Sequence, residues 1–238
     1  MPKSTILLSS ARSGTNFFLA VYKKCFPDDF VVKEIFRRGG DNLDALAEQL
    51  GVSREQVIDL QISDPLTLWK RIKQSCESGK SAAVAKIFYY HDAENTALRE
   101  HFRDNDRVVH LIRRNAFDVF LSERMARKTG QWQEFKRTPA HEVESIELDP
   151  EELAAFRQRQ TDFVSRAREF FCTADYTEIF YEDIAGSPGE CATTLERIYG
   201  SLKSPAPKQV GLIRQKKKSN RELVANYDAV KHLDGAIF

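Results

Sequence analysis

Apolar and polar positions change period several times along this chain. A short apolar run, Thr5-Ile6-Leu7-Leu8, ends in small polar residues and turns through Gly14. Apolar residues then resume at helical spacing at Phe17, Phe18, Val21 and Tyr22. That pattern predicts a strand, a tight loop and a helix. The same order returns at 107–122, where an apolar run gives way to a polar turn and then to Ala116, Phe117 and Phe120. Between them, 30–36 reads as a second strand, 66–79 as an amphipathic helix and 81–92 as a third strand with its exit. Asp149-Pro150-Glu151-Glu152 combines an N-cap, a proline at the first position and acids in the first turn, so a helix runs from there to about 171. The last strand is expected at 177–184 and a further helix at 188–199. Strands alternating with helices predict an α/β chain with a central, mainly parallel sheet.

Composition narrows this only slightly. The length of 238 residues fits a single domain, and 42% hydrophobic residues suffice for a real core. Within it, 43–79 is expected as a helical insertion and 123–149 as a variable lid or acceptor segment. A net charge of +1 argues against whole-molecule attraction to nucleic acid. The region 43–60 looks like a helix-turn-helix, but from 43 to 64 the acids are Asp44, Glu48, Glu55, Asp59 and Asp64 and the only base is Arg54. A groove-reading element needs cations for phosphates. DNA binding is therefore the weaker alternative, and a helical hairpin over the active-site mouth is expected. No stretch has the apolar length of a transmembrane helix, and the first apolar run is too short for a secretory signal. Cys25, Cys76, Cys172 and Cys191 are scattered, which reads as reduced thiols in a cytoplasmic protein without a zinc site.

The loop before the first helix carries the chemistry. A helix N-terminus presents N–H groups and the positive end of its dipole, which suits an anion, and Arg12 adds a permanently charged planar donor. Compared with G-x-x-x-x-G-K-[ST], Gly14 takes the second glycine's place, but Ser9, Thr15 and Asn16 replace the first glycine, the lysine and the Mg²⁺-binding hydroxyl. A P-loop kinase using ATP is the alternative that these replacements weaken.

Together, residues 9–15 and the run from Arg114 to Ser122, eight positions later, resemble the sulfotransferase superfamily. The resemblance implies a three-layer P-loop-like fold with helical lid insertions. It also implies in-line transfer of a sulfuryl group from 3′-phosphoadenosine-5′-phosphosulfate (PAPS) to a hydroxyl, leaving adenosine 3′,5′-bisphosphate (PAP), with no metal. By this likeness Arg12, Ser13, Gly14, Thr15 and Asn16 hold the 5′-phosphosulfate, while Arg114 and Ser122 hold the 3′-phosphate. Lys86, a cation inside an apolar strand, borders the sulfuryl group; the plainer reading is that it snorkels. Glu34 or His91 is the base, the plainer readings being a solvated carboxylate and a loop cap. Tyr181 lies by the adenine, or is simply a core tyrosine. The basic cluster 214–221, with Lys217 as its candidate, closes over the 3′-phosphate. The tail around Ser219-Asn220 and Asn226-Tyr227 is similar to bacterial carbohydrate sulfotransferases of the nodulation-factor type, which implies a glycan or glycolipid acceptor.

Overall fold

The computed structural model describes residues 3–37, 40–79, 81–91, 96–130, 132, 145–211 and 218–238. Five strands form one sheet: β1 (Thr5–Ser9), β2 (Phe30–Lys33), β3 (Ala83–Phe88), β4 (Arg107–Ile112) and β5 (Asp175–Phe180). Their order is β2-β3-β1-β4-β5 and every pairing is parallel. The inner strands β1, β3 and β4 are buried almost throughout. A parallel sheet covered on both faces demands such continuous apolar runs.

Among the described residues the helices are α1 (Thr15–Cys25), α2 (Leu43–Leu50), α3 (Arg54–Ser63), α4 (Pro65–Ser78), α5 (Thr96–Asn105), α6 (Ala116–Thr129), α7 (Pro150–Phe170), α8 (Tyr181–Ile184), α9 (Pro188–Tyr199), α10 (Asn220–Leu223) and α11 (Tyr227–Val230), with a 3-10 turn at Lys231–Leu233. Successive strand residues face opposite ways, so β1 splits its side chains between two cores. Ile6 and Leu8 join Leu46, Val57, Trp69, Leu98 and Phe171 on one face. Leu7 joins Phe18, Val21, Cys191 and Leu195 on the other. Helices on both faces make three layers. A third cluster packs Phe117 and Phe120 of α6 against Leu153 and Phe156 of α7 and against Leu223 and Val230 near the C-terminus.

The chain leaves β1 toward β3 and β2, then crosses back to β4 and β5. The C-terminal ends of β1, β3 and β4 therefore border the crevice where open α/β sheets take their ligands.

Several boundaries differ from the sequence expectation. The second strand stops at Lys33 because Glu34 turns left-handed, at φ 52°, and Ile35 and Phe36 fold into the core. The third strand stops at Phe88, before a turn at 89–91. The last strand stops at Phe180, and Tyr181–Ile184 is a helical turn. Helix α5 had no strong periodic signal, since only Leu98 and Phe102 are its buried positions. The region 43–79 forms α2, α3 and α4, whose apolar faces share one cluster with Ile35 and Phe36, just past Glu34. Of 123–149, the first residues simply continue α6, and Ile146 bridges to Val224.

Candidate active site

The corner after β1 is built around two left-handed residues. Ser9 closes the strand and donates its hydroxyl to the Leu111 carbonyl at 2.6 Å, tying the loop to β4. Arg12 then adopts φ 65° and Gly14 φ 85°. The first is costly for a residue with a side chain, and such strain concentrates at functional sites. The second needs glycine twice over. The conformation is left-handed, and a Cβ at Gly14 would stand 2.2 Å from a ring carbon of Tyr181. Gly14 is the N-cap of α1 and offers no side-chain acceptor to its first turn. Ser10 and Ser13 share a hydrogen bond at 2.7 Å, and Ser13 and Thr15 are buried.

Beside this loop lies a pair of guanidinium groups. Arg12 Nε donates to Ser122 Oγ at 3.0 Å, and Nη1 donates to the Trp132 carbonyl. Arg113 Nη1 donates to the Arg12 carbonyl at 3.2 Å and Nη2 to Asp118 at 2.9 Å. Its guanidinium carbon sits 5.0 Å from the centroid of the Tyr181 ring. Arg113 Nε is buried and has no hydrogen-bond partner. Burial, then the charge of Arg113, push the Arg12 guanidinium below its ordinary pKa, with Glu123 opposing. An anion at this corner would relieve both effects. Next to it opens a cleft of about 280 Å³ lined by Arg113, Asp118, Tyr181, Glu182, Ala185 and Gly186.

Arg114 is placed differently. Its guanidinium makes two hydrogen bonds to Asp183, at 2.6 and 3.0 Å, over the ring of Phe180. Its backbone N–H donates to Glu182 at 3.0 Å. The structure thus brings Ser122 to Arg12 and turns Arg113, not Arg114, toward the loop. Neighbouring residues leaving a strand face opposite ways, and the spacing to Ser122 does not say which of two adjacent arginines takes which side. Arg113 was not singled out from sequence. Its position as the first residue past β4 becomes a signal only once the end of that strand, at Ile112, is known. Lys217 lies outside the described residues.

The second half of the site gathers at the ends of β2 and β3. Lys86 is 2% exposed, and its Nζ lies 2.7 Å from Glu34 Oε1 and 3.3 Å from Asn16 Oδ1. Lys86 pairs with Lys33 in the β2–β3 register, and its carbonyl accepts from the Glu34 N–H at 3.2 Å. Burial would raise the Glu34 carboxyl, but the hydrogen bond and charge of Lys86, with Arg37, hold it below the usual glutamate value. Burial draws the Lys86 ammonium down, and Glu34 opposes that. His91 is buried, and its Nδ1 accepts from the Phe88 N–H at 3.3 Å. Burial lowers its pKa to about 4, Glu34 acting the other way. Glu34, Lys86, Asn16 and His91 therefore converge, with a neutral imidazole and an ionised carboxylate.

Among the described residues, no group of three or more His, Cys, Asp or Glu side chains comes together as a metal set. No helix among them is long and apolar enough to cross a membrane.

No family model matches the chain. Nodulation protein H of Rhizobium tropici is 26% identical over 119 residues, 50% of this chain, and the match spans 47% of that protein's length. Among solved structures, the sulfotransferase domain of the Synechococcus PCC 7002 olefin synthase superposes with a TM-score of 0.53 at 14% identity, over 83% of this chain and 73% of that one. The sulfotransferase domain from the curacin biosynthetic pathway gives 0.53 at 14% identity, over 98% of this chain and 87% of its own. At these identities the likeness is one of fold.

Proposed function

On a chain with the fold of the sulfotransferase superfamily, we propose that the β1–β4 corner takes PAPS and that its sulfuryl group passes to a hydroxyl of a glycan or glycolipid. Lys86 carries this reading. A buried ammonium is costly, and here it stands at the mouth of an anion-binding loop between a carboxylate and Asn16. That is where a fixed cation would meet charge developing in an in-line displacement.

The pocket suits such a donor. The orphaned Nε of Arg113 and the glycine cradle under Tyr181 offer an unsatisfied donor and close backbone approach. Bound there, PAPS supplies an activated sulfuryl group attached to a leaving 5′-phosphate. Arg12 and the turn from Ser13 to Asn16 hold that phosphate. Lys86 offsets the charge that collects on the bridging oxygen as the sulfur–oxygen bond breaks and its electron pair moves to the phosphate. Glu34 takes the acceptor's hydroxyl proton while the acceptor oxygen bonds to sulfur, a contribution of roughly 10²–10⁴-fold. His91 is the poorer base, because its Nδ1 lone pair already accepts from Phe88 and assigns the proton to Nε2. Arg113 and Ser122, the latter hydrogen-bonded to Arg12, are assigned to the 3′-phosphate. Arg114 joins them only by releasing Asp183. Thr15 and Asn16, in place of a lysine and a Mg²⁺ ligand, disfavour ATP. The four free cysteines suit a reducing cytoplasm.

The test is incubation with ³⁵S-labelled PAPS and an extract fractionated into polysaccharide, glycolipid and protein. Label should enter a carbohydrate fraction with the wild type and not with Glu34→Gln. Stabilisation of the fold by ATP-Mg²⁺ but not by PAP would overturn the reading.

A further inference from the structure

Past Phe88 the chain turns through Tyr89, Tyr90 and His91. Tyr89 faces inward, stacked on Phe163 with ring centroids 5.2 Å apart and hydrogen-bonded to His110. His91 is buried as well. Tyr90, between them, is 56% exposed, which is unusual for a large ring. The ring is nonetheless held in place. Its centroid lies 5.6 Å from that of Phe88 and 4.8 Å from that of His91, at 87° to the imidazole. Phe88 in turn lies under Lys86, whose Nζ is 5.0 Å from the ring centroid, and Lys86 holds Glu34. An open, fixed aromatic face therefore stands one ring away from the Lys86–Glu34 pair, within reach of the Glu34 charge. His91 Nε2 is buried without a hydrogen-bond partner.

We propose that Tyr90 seats the acceptor as a pyranose, the C–H face of the sugar stacking on its exposed ring. This rests on the sulfuryl-transfer reading and names its acceptor site. The surroundings select a sugar over a phenol or an acyl alcohol. Beyond partial burial, Glu34 and Glu123 act on the Tyr90 hydroxyl and Arg37 opposes them, so the rim is charged. A wholly apolar acceptor would strip water from those charges without replacing it. A pyranose brings an apolar face for the ring and hydroxyls for the rim.

The experiment uses the full chain, first with PAP alone and then, PAP-loaded, on a printed array of neutral and acidic oligosaccharides. Wild type, Tyr90→Ala and Tyr90→Trp should bind PAP equally. The PAP-loaded wild type should bind a subset of pyranosides, Tyr90→Ala should bind them about tenfold more weakly, and Tyr90→Trp should retain them, as expected for loss or retention of one stacking contact. Unchanged glycan binding by Tyr90→Ala would overturn the proposal. So would a PAP-loaded wild type that ignores the array, or one that binds simple phenols instead. Failure of the wild type to bind PAP would instead remove the sulfuryl-transfer reading on which it rests.

Discussion

Two buried lysine–carboxylate pairs sit at opposite ends of the sheet. Lys73 Nζ lies 2.6 Å from Asp106 Oδ1, just before β4 begins. Lys86 Nζ lies 2.7 Å from Glu34 Oε1, just after β2 ends. The distances are nearly equal, but the surroundings are not. The Asp106 side chain is wholly enclosed, and its other oxygen accepts from Trp69 Nε1 at 2.8 Å. Burial raises its pKa although Lys73 and Trp69 pull it down. This pair pins α4 to the foot of the sheet. Glu34 keeps 16% of its side chain exposed, stands on a left-handed residue and has Arg37 3.5 Å away. Pair length therefore says little about purpose. Backbone strain, an opening to solvent and neighbouring groups with spare hydrogen-bonding capacity mark the end proposed to do chemistry.

The same substitution at both lysines breaks the symmetry most visibly. Lys73→Met leaves a fully buried carboxylate without its cation and should lower unfolding stability by about 3–5 kcal/mol in urea titrations. PAP affinity per folded molecule should not change. Lys86→Met should cut turnover by about 10²–10³-fold while costing about 1 kcal/mol or less of stability, because Glu34 can turn to solvent and Arg37. Equal destabilisation by the two would end the distinction.

The proposed donor corner offers a finer contrast. Arg113→Ala should weaken PAP binding in calorimetry by about 1.5–3 kcal/mol, the weight of a hydrogen bond to a charged group. Arg114→Ala, which breaks an exposed pair with Asp183, should change affinity and stability by about 1 kcal/mol or less. The reverse order would return the 3′-phosphate to Arg114.

The two ends also differ in acid stability. His91, beside Glu34, is held down to about 4, His110, beside Glu178, to about 3, and His101, beside Asp106, is lowered as well, burial being the main cause for all three. The unfolded chain therefore binds protons that the folded chain refuses. Stability should fall as pH drops below 6.5, the ordinary histidine value, with His91 alone contributing on the order of 1–2 kcal/mol down to about pH 5 and the more deeply buried His110 about as much again. His91→Gln should flatten that slope, and an unaltered slope in melts at several pH values would contradict the burial account.

Much of this was legible in the sequence. The inner strands announce themselves as apolar runs, and Asp149 caps α7 by accepting from Glu151 and Glu152 as its motif predicts. Lys86 stood out because a lone cation in an apolar strand needs a reason. What stayed hidden depended on phase and handedness. The left-handed turn at Glu34, which ends β2 early, has no glycine or asparagine to signal it. Two adjacent arginines cannot be assigned to sides without knowing where β4 stops. The openness of Tyr90 among two inward-facing neighbours is a property of the turn, and nothing in Tyr89-Tyr90-His91 distinguishes the outer ring from the inner one.

The seat of Tyr181 over Gly14 has a consequence for how this molecule can be altered. Because a methyl group at position 14 would collide with that ring, the earliest loop and the corner after the final strand form a single interlocked joint. Neither can be redesigned or grafted alone. If the polypeptide were cut between β4 and β5 and the fragments purified apart, each should be blind to nucleotide, and recognition should return only on mixing.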